Sequence, residues 1–200
     1  MGLYQGRKKL AISWALPLLL IIVCILAALG GDEAREWLKY DRFAIQSGEF
    51  WRLVTGHFAH LSAAHLALNL VGLMLVWLLV GSRASPTAWV SVTVFTVFGI
   101  NLGFWFLDPN LLWYVGLSGL LHGLLVAGSL AGIREFPAES LIILAVLLAK
   151  VVYEQVAGPL PGSEATSGGP VVVNAHLYGA AAGLIAGLPL CGRDTRSSSI

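Results

Sequence analysis

The sequence predicts an all-α membrane protein, a bundle of six transmembrane helices with both termini on the cytoplasmic side. Three observations carry this. Of 200 residues, 57% are hydrophobic and only 12% are charged, about half the charge of a soluble domain. The mean hydropathy is +0.80. The apolar residues gather into six runs, each close to the roughly 20 residues that a spanning helix needs. Six spans occupy roughly 120 residues, so residues 1–200 form one domain with no room for a separate soluble one. A net charge of +1 leaves no basic face for nucleic acid.

The first run, 10–29, follows Arg7-Lys8-Lys9. It exceeds the roughly 7–15 apolar residues of a cleavable signal, so it is expected to be retained as an anchor. Residues 30–58 form an external loop. There Trp37, Tyr40, Phe43, Phe50 and Trp51 alternate with charges, which suits the headgroup layer of a bilayer. In that loop Arg52 either caps backbone or meets a lipid phosphate, and His57 reads as an exposed interfacial residue. Further runs follow at 59–80, 88–107, 117–133 and 139–156. Residues 158–170 are so rich in glycine and proline that neither helix nor strand is expected, and they form a candidate mobile lid. The last run is 171–191. The two cysteines, Cys24 and Cys191, lie in the first and last runs and read as small buried residues, not a disulfide scaffold.

Orientation follows from lysine and arginine in the short loops. With the N-terminus inside, Arg7, Lys8, Lys9, Arg83, Arg134, Arg193 and Arg196 gather on the cytoplasmic side. Arg35, Lys39, Arg42, Arg52 and Lys150 then lie toward the outside. In this topology the second, fourth and sixth runs enter the bilayer from outside.

Polar residues inside spanning helices are costly and therefore candidates for function. The second run carries His60, His65 and Asn69. The fourth opens with Gly116-Leu-Ser-Gly119 and carries His122. The sixth carries Asn174 and His176, then Gly179, Gly183 and Gly187. At 1.5 Å per residue, His65 and His176 fall roughly 8–9 Å below the outer boundary. Ser118 reaches that depth if the connection before it dips inward, as backbone lining a wet cavity can. His65 and Asn69 share a helix face, as do Ser118 and His122. The glycine stripe after His176 lets another helix approach closely. Pairing the fourth and sixth runs brings Ser118 within hydrogen-bond reach of His176.

That chemistry is nucleophilic. A serine hydroxyl needs an adjacent base, and a partly desolvated, neutral His176 supplies one. No aspartate or glutamate lies mid-membrane, so the expected unit is a Ser–His dyad without a third carboxylate. An oxyanion would find donors in the Ser118 amide, at a helix N-terminus, and in the His65 and Asn69 side chains. His60 is expected to support the site or anchor a loop, and Gly116, Gly119 and Gly179 to clear space around it. Five histidines are enough for a metal site, but H-E-x-x-H and an intramembrane carboxylate are missing. Neither metal nor cofactor is therefore expected. A metalloprotein and a non-catalytic, client-binding membrane protein are the alternatives.

Several motifs resemble the rhomboid family of intramembrane serine proteases. They are Trp51-Arg52, His60-x4-His65-x3-Asn69, Gly116-Leu-Ser-Gly119 and Ala175-His176-x2-Gly179-x3-Gly183, in the family's order. The resemblance implies a six-helix rhomboid core in which Ser118 is nucleophile and His176 base, with His65 and Asn69 at the oxyanion hole. Many rhomboids carry a tyrosine four residues after the serine; here the residue is His122, which can also reach Ser118 along its helix. Gly-Leu-Ser-Gly-x2-His and the small size are most similar to the rhombosortase subgroup. That similarity implies an enzyme of the bacterial inner membrane whose active site opens toward the periplasm. Its substrates would be single-span membrane proteins with C-terminal glycine-glycine sorting tails, cut near the outer face. Other single-span substrates, as for rhomboids at large, are the alternative.

Overall fold

A computed structural model of the chain describes residues 2–191, with side chains from Trp14 onward. The side chains of Arg7, Lys8 and Lys9, and the residues Arg193 and Arg196, lie outside what is described. They carried most of the charge behind the expected orientation.

Helix α1 (Gly2–Leu29) buries Leu20 and Cys24 and leaves Leu18, Leu19, Ile22 and Leu26 outward. At Gly30-Gly31 the chain bends by 118° into α2 (Gly31–Leu38). The external loop is tightly built. Its strand β1 (Tyr40–Asp41) leads into α3 (Arg42–Gln46), whose first amides are capped by the Asp41 carboxylate, and then α4 (Arg52–Thr55). Buried Arg52 donates to the carbonyls of Glu36 at 2.8 Å and Lys39 at 3.0 Å, and pairs with Glu49 at 2.7 Å. It therefore caps the end of α2, one of the two roles open to it, at the negative pole of that helix.

Three long helices with a legible start follow. Ser62 accepts from the His65 amide to begin α5 (Ala63–Val80). Ser85 and Pro86 begin α6 (Pro86–Phe106), and Pro137 begins α8 (Pro137–Ala157), as capping serines and first-turn prolines do. Between them, β2 (Trp113–Tyr114) pairs antiparallel with β1, Tyr40 opposite Tyr114. This two-stranded ladder is the departure from an all-α chain among the described residues. It draws the external loop down onto the connection that precedes α7 (Ser118–Ala131). Arg42 seals the same place, donating to the carbonyls of Phe104, Asp108 at 2.8 Å and Leu111 at 2.9 Å.

Residues 158–170 are not free of helix as expected. The glycines and prolines cluster at the two ends, and the Ser-Glu-Ala-Thr-Ser stretch between them forms α9 (Ser163–Ser167). Its last carbonyl accepts from Ser62 at 3.0 Å, which ties the segment to the start of α5. The final helix is α10 (Val173–Gly187), followed by a short 3₁₀ turn. Cys191 beyond it is exposed, against the expectation for it, because the chain has left the bundle; Cys24 is buried.

Ala63–Arg83, Pro86–Phe106, Pro137–Ala157 and Val173–Leu190 are long and apolar enough to cross a membrane; Trp14–Leu29 with bent α2 makes a fifth if counted as one span. Helix α7 is shorter, at 14 residues, about 21 Å against a hydrocarbon core of about 30 Å. It is also the most enclosed: Leu120, Leu124 and Ala127 are fully buried at the centre of the bundle. By contrast α8 turns Leu141, Ile142, Val146 and Leu148 outward.

Helix α7 packs most extensively on α10. The contact is glycine on glycine. A β-carbon at Gly179 would overlap the Gly119 carbonyl oxygen, and one at Gly183 would overlap that of Gly123. Small residues at this spacing let backbones meet where lipid offers no hydrophobic drive. Gly183→Ala is expected to lower stability by about 1–3 kcal/mol, the range for overfilling a packed contact. Thermal unfolding in detergent measures it, and an unchanged midpoint contradicts the packing described.

Candidate active site

The glycine contact places the first turns of α7 and α10 side by side. Ser118 is the first residue of α7, and the turn before it depends on Gly116. That residue has φ +130, and a β-carbon on it would stand 3.1 Å from the His65 ring. The Gly116 amide donates to the Gly56 carbonyl at 3.0 Å, which ties this connection to the external loop. In the first turn of α7 amides have no intrahelical acceptor, and the Ser118 N–H faces the positive pole of the helix.

His176 Nε2 lies 2.9 Å from Ser118 Oγ, and its side chain is buried. Its other nitrogen, Nδ1, lies 2.8 Å from Glu154 Oε2 and 3.3 Å from Lys150 Nζ. Lys150 Nζ in turn pairs with Glu154 Oε1 at 2.7 Å. The two neighbours ask for different tautomers. A carboxylate accepts only, so Glu154 requires a proton on Nδ1, whereas Lys150 would require its absence. The shorter contact and the buried carboxylate favour Nδ1–H. That leaves Nε2 with a lone pair to accept the Ser118 hydroxyl proton.

The expectation that no carboxylate stands beside His176 is therefore corrected. Glu154 lies one turn from the end of α8, and α8 runs antiparallel to α10. The end of one helix meets the start of the other, so Glu154 and His176 share a depth. Glu154 is 3% exposed.

His122 stacks on His176, ring centroids 4.3 Å apart and planes 15° from parallel. Its Nδ1 is 2.7 Å from the Ser118 carbonyl, to which it donates. It thus addresses the backbone of Ser118, and its ring supports the imidazole that addresses the hydroxyl. His65 Nδ1 accepts from the Leu61 amide at 3.4 Å, which leaves Nε2 carrying a proton. Asn69 Nδ2 gives one hydrogen to the His65 carbonyl at 3.2 Å and keeps a second. His65, Asn69, Ser118, His122 and His176 line one cavity of about 250 Å³, whose walls also include Leu160, Ser163, Ser167 and Pro170.

Other polar residues fall elsewhere. His60 is buried, with Nδ1 3.1 Å from the Phe58 carbonyl and its ring edge-on to His65, and it is not a cavity wall. Gly119 and Gly179 belong to the helix contact. Asn174 donates to both Asp108 oxygens, at 2.8 and 2.9 Å, and ties α10 to the loop after α6. His57 is 1% exposed, which corrects its reading as interfacial. The β1–β2 ladder folds the loop over it, against the Tyr114 ring and 3.3 Å from Asn101.

Sequence reasoning missed Glu154, Lys150 and Tyr114. The first two are spaced i,i+4 on an otherwise apolar run, a signal present but read as loop charge. Tyr114 carried no signal. Its hydroxyl donates to the Gly116 carbonyl and touches Ser118, and burial raises the phenol above its ordinary range, so it stays a donor. His122, Glu154 and His176 also bring ligand atoms within 4.8 Å of one another, a set able to hold a metal ion. The Lys150 ammonium beside them disfavours a cation, and an ion there would take the nitrogen or oxygen atoms already bonded in the chain of contacts.

A rhomboid-domain family model matches residues 47–193. The chain belongs to the rhomboid family. With its apolar helices, it is an integral, multi-pass membrane protein. It is also similar to the rhomboid protease GlpG of Yersinia enterocolitica, 29% identical over 193 residues, which cover 94% of this chain and 64% of that protein. This rhomboid thus spans just under two thirds of that relative's length.

Burial lowers His57 to about 4 and His60 to about 3, the latter also through His65. Both lie outside the spanning helices and are neutral in the folded chain, whereas an unfolded histidine takes a proton near 6.5. Stability is therefore full above that value and falls as pH drops toward about 4. Thermal unfolding across this window is expected to show a falling midpoint, with a shallower fall in His57→Gln; a flat profile in the unmodified chain contradicts their neutral burial.

Proposed function

We propose that this rhomboid is an intramembrane serine endopeptidase in which Ser118 is the nucleophile and His176 the general base. The observation that supports it most is the 2.9 Å contact between Ser118 Oγ and His176 Nε2, made between two helices inside a cavity. Ser118 Oγ attacks the scissile carbonyl as its proton passes to Nε2. The tetrahedral oxyanion is met by the Ser118 amide, the free Nδ2 hydrogen of Asn69 and the Nε2 proton of His65. The imidazolium then gives its Nε2 proton to the leaving amine. Water, activated by the same nitrogen, hydrolyses the acyl-enzyme.

In the membrane we place six spans: α1, α5, α6, α7, α8 and α10. The termini are cytoplasmic and the cavity opens in the outer leaflet, toward the periplasm of a bacterial inner membrane. The shortness of α7 supports this, since a 14-residue span starts below the surface and puts Ser118 inside. The same reading takes the chain as a rhombosortase, with His122 in the stacking position. Its substrates are then single-span proteins with a glycine-glycine C-terminal tail. A glycine-rich segment unwinds readily and brings little bulk into a cavity of about 250 Å³.

Co-expression with a glycine-glycine-tailed single-span protein, followed by mass spectrometry of its new C-terminus, tests this. Cleavage is expected with the wild type and with His122→Phe at reduced rate. It is expected to vanish in Ser118→Ala and His176→Ala, to persist in a chelator, and to drop about 10²–10³-fold in kcat for Asn69→Ala. An intact tail beside the wild type refutes the glycine-glycine specificity. Activity in His176→Ala, with none in His122→Phe, reverses the assignment of the base.

A further inference from the structure

Glu154 is a carboxylate in a spanning helix whose outward faces are leucine, isoleucine and valine. Such a group is tolerated in lipid only where it is paired. Lys150, one turn away on the same helix, is sufficient as a partner, and a pair of that kind would be free to stand at any rotation of α8. Instead the carboxylate is turned into the bundle, 3% exposed, and divides its oxygens: Oε1 takes Lys150 at 2.7 Å and Oε2 takes His176 Nδ1 at 2.8 Å. The second bond points along the same imidazole whose far nitrogen meets Ser118 at 2.9 Å.

Resting on the protease reading above, we propose that Glu154 is the positioning residue of that site. It fixes the Nδ1–H tautomer of His176, aims Nε2 at Ser118, and stabilises the imidazolium that forms when Nε2 takes the serine proton. The proton on Nδ1 stays there throughout. Ser118 Oγ forms its bond to the substrate carbonyl carbon, the carbon–nitrogen bond breaks, and the Nε2 proton leaves with the amine. Glu154 contributes its negative charge and its geometry, and gains no proton. Lys150 holds the carboxylate ionised and in place. Stacking by His122 fixes the ring plane but not its rotation about that plane's normal, nor its tautomer, so the two supports are complementary. The third group of the relay is carried by α8, to which neither Ser118 nor His176 belongs, and the histidine is aligned only while α8 is docked.

The test measures kcat and KM on a fluorescent single-span peptide in liposomes, together with the unfolding midpoint, for wild type, S118A, E154Q and E154D. Gln keeps an acceptor oxygen but no charge; Asp keeps the charge but withdraws it by one methylene. E154Q is expected to lose up to about 10⁴-fold in kcat, the loss seen when the orienting carboxylate of a serine protease triad is neutralised. KM and midpoint should stay near wild type. E154D should recover part of the loss. Wild-type kcat in E154Q overturns the inference, as does a loss in both variants that tracks a fallen midpoint. Should E154Q fail to fold, E154D decides: reduced kcat with an unchanged midpoint supports the role, and wild-type kcat removes it. If the wild type cuts nothing, or S118A cuts equally, the protease reading fails and this inference with it; if only S118A is inert and E154Q is not slowed, this inference alone fails.

Discussion

The structure depends on the approach of α7 and α10 to backbone contact. Gly119 and Gly123 on one helix face Gly179 and Gly183 on the other, with carbonyl oxygens where β-carbons would have to be. In lipid, helices gain little by hiding apolar surface from one another, and close van der Waals packing must hold them. Because the contact runs from the first turn of α7 along most of both helices, it also decides what stands at their N-terminal ends. There Ser118 and His176 meet, while the preceding turn through Gly116 passes close against His65, which lines the same cavity from α5 together with Asn69. Stability and chemistry share one interface.

The polar groups divide by what their remaining valences do. Arg42 and Arg52 spend their donors on carbonyls at helix ends, and Arg83 pairs with Glu139 while donating to Ser140 at 3.0 Å, so each closes a loop. Their hydrogen bonds serve the fold. Around Ser118 the arrangement differs. His65 Nε2 and the second hydrogen of Asn69 face a cavity, and the Ser118 amide sits at an open helix start. Donors left in that state, in a low-dielectric place, are costly unless something anionic arrives to use them. The same cost explains why Glu154 is engaged at both oxygens.

Much of this was legible because lipid makes polar residues conspicuous. His65, Asn69, Ser118, His122 and His176 stood out within apolar runs, and helical spacing placed them at one depth. Ser62, Ser85 with Pro86, and Pro137 mark the starts of α5, α6 and α8, and Gly81, Gly132 and Gly158 stand just past the ends of α5, α7 and α8. What was not legible lies in pairings between distant elements. Glu154 sits close enough to a helix end to pass for a charge reaching water, and only the antiparallel packing of α8 on α10 turns it inward. His57 looked interfacial because nothing local announces a two-residue ladder between Tyr40–Asp41 and Trp113–Tyr114. In residues 158–170 composition averaged over the segment concealed five residues fit for helix.

The proposal rests on Ser118 being made nucleophilic by its contact with His176. Peptide mapping by mass spectrometry after treatment of the membrane-embedded chain with a fluorophosphonate tests it most directly. A covalent adduct is expected on the peptide containing Ser118, absent from His176→Ala. An adduct on another serine, or equal labelling of Ser118 without the histidine, would contradict it.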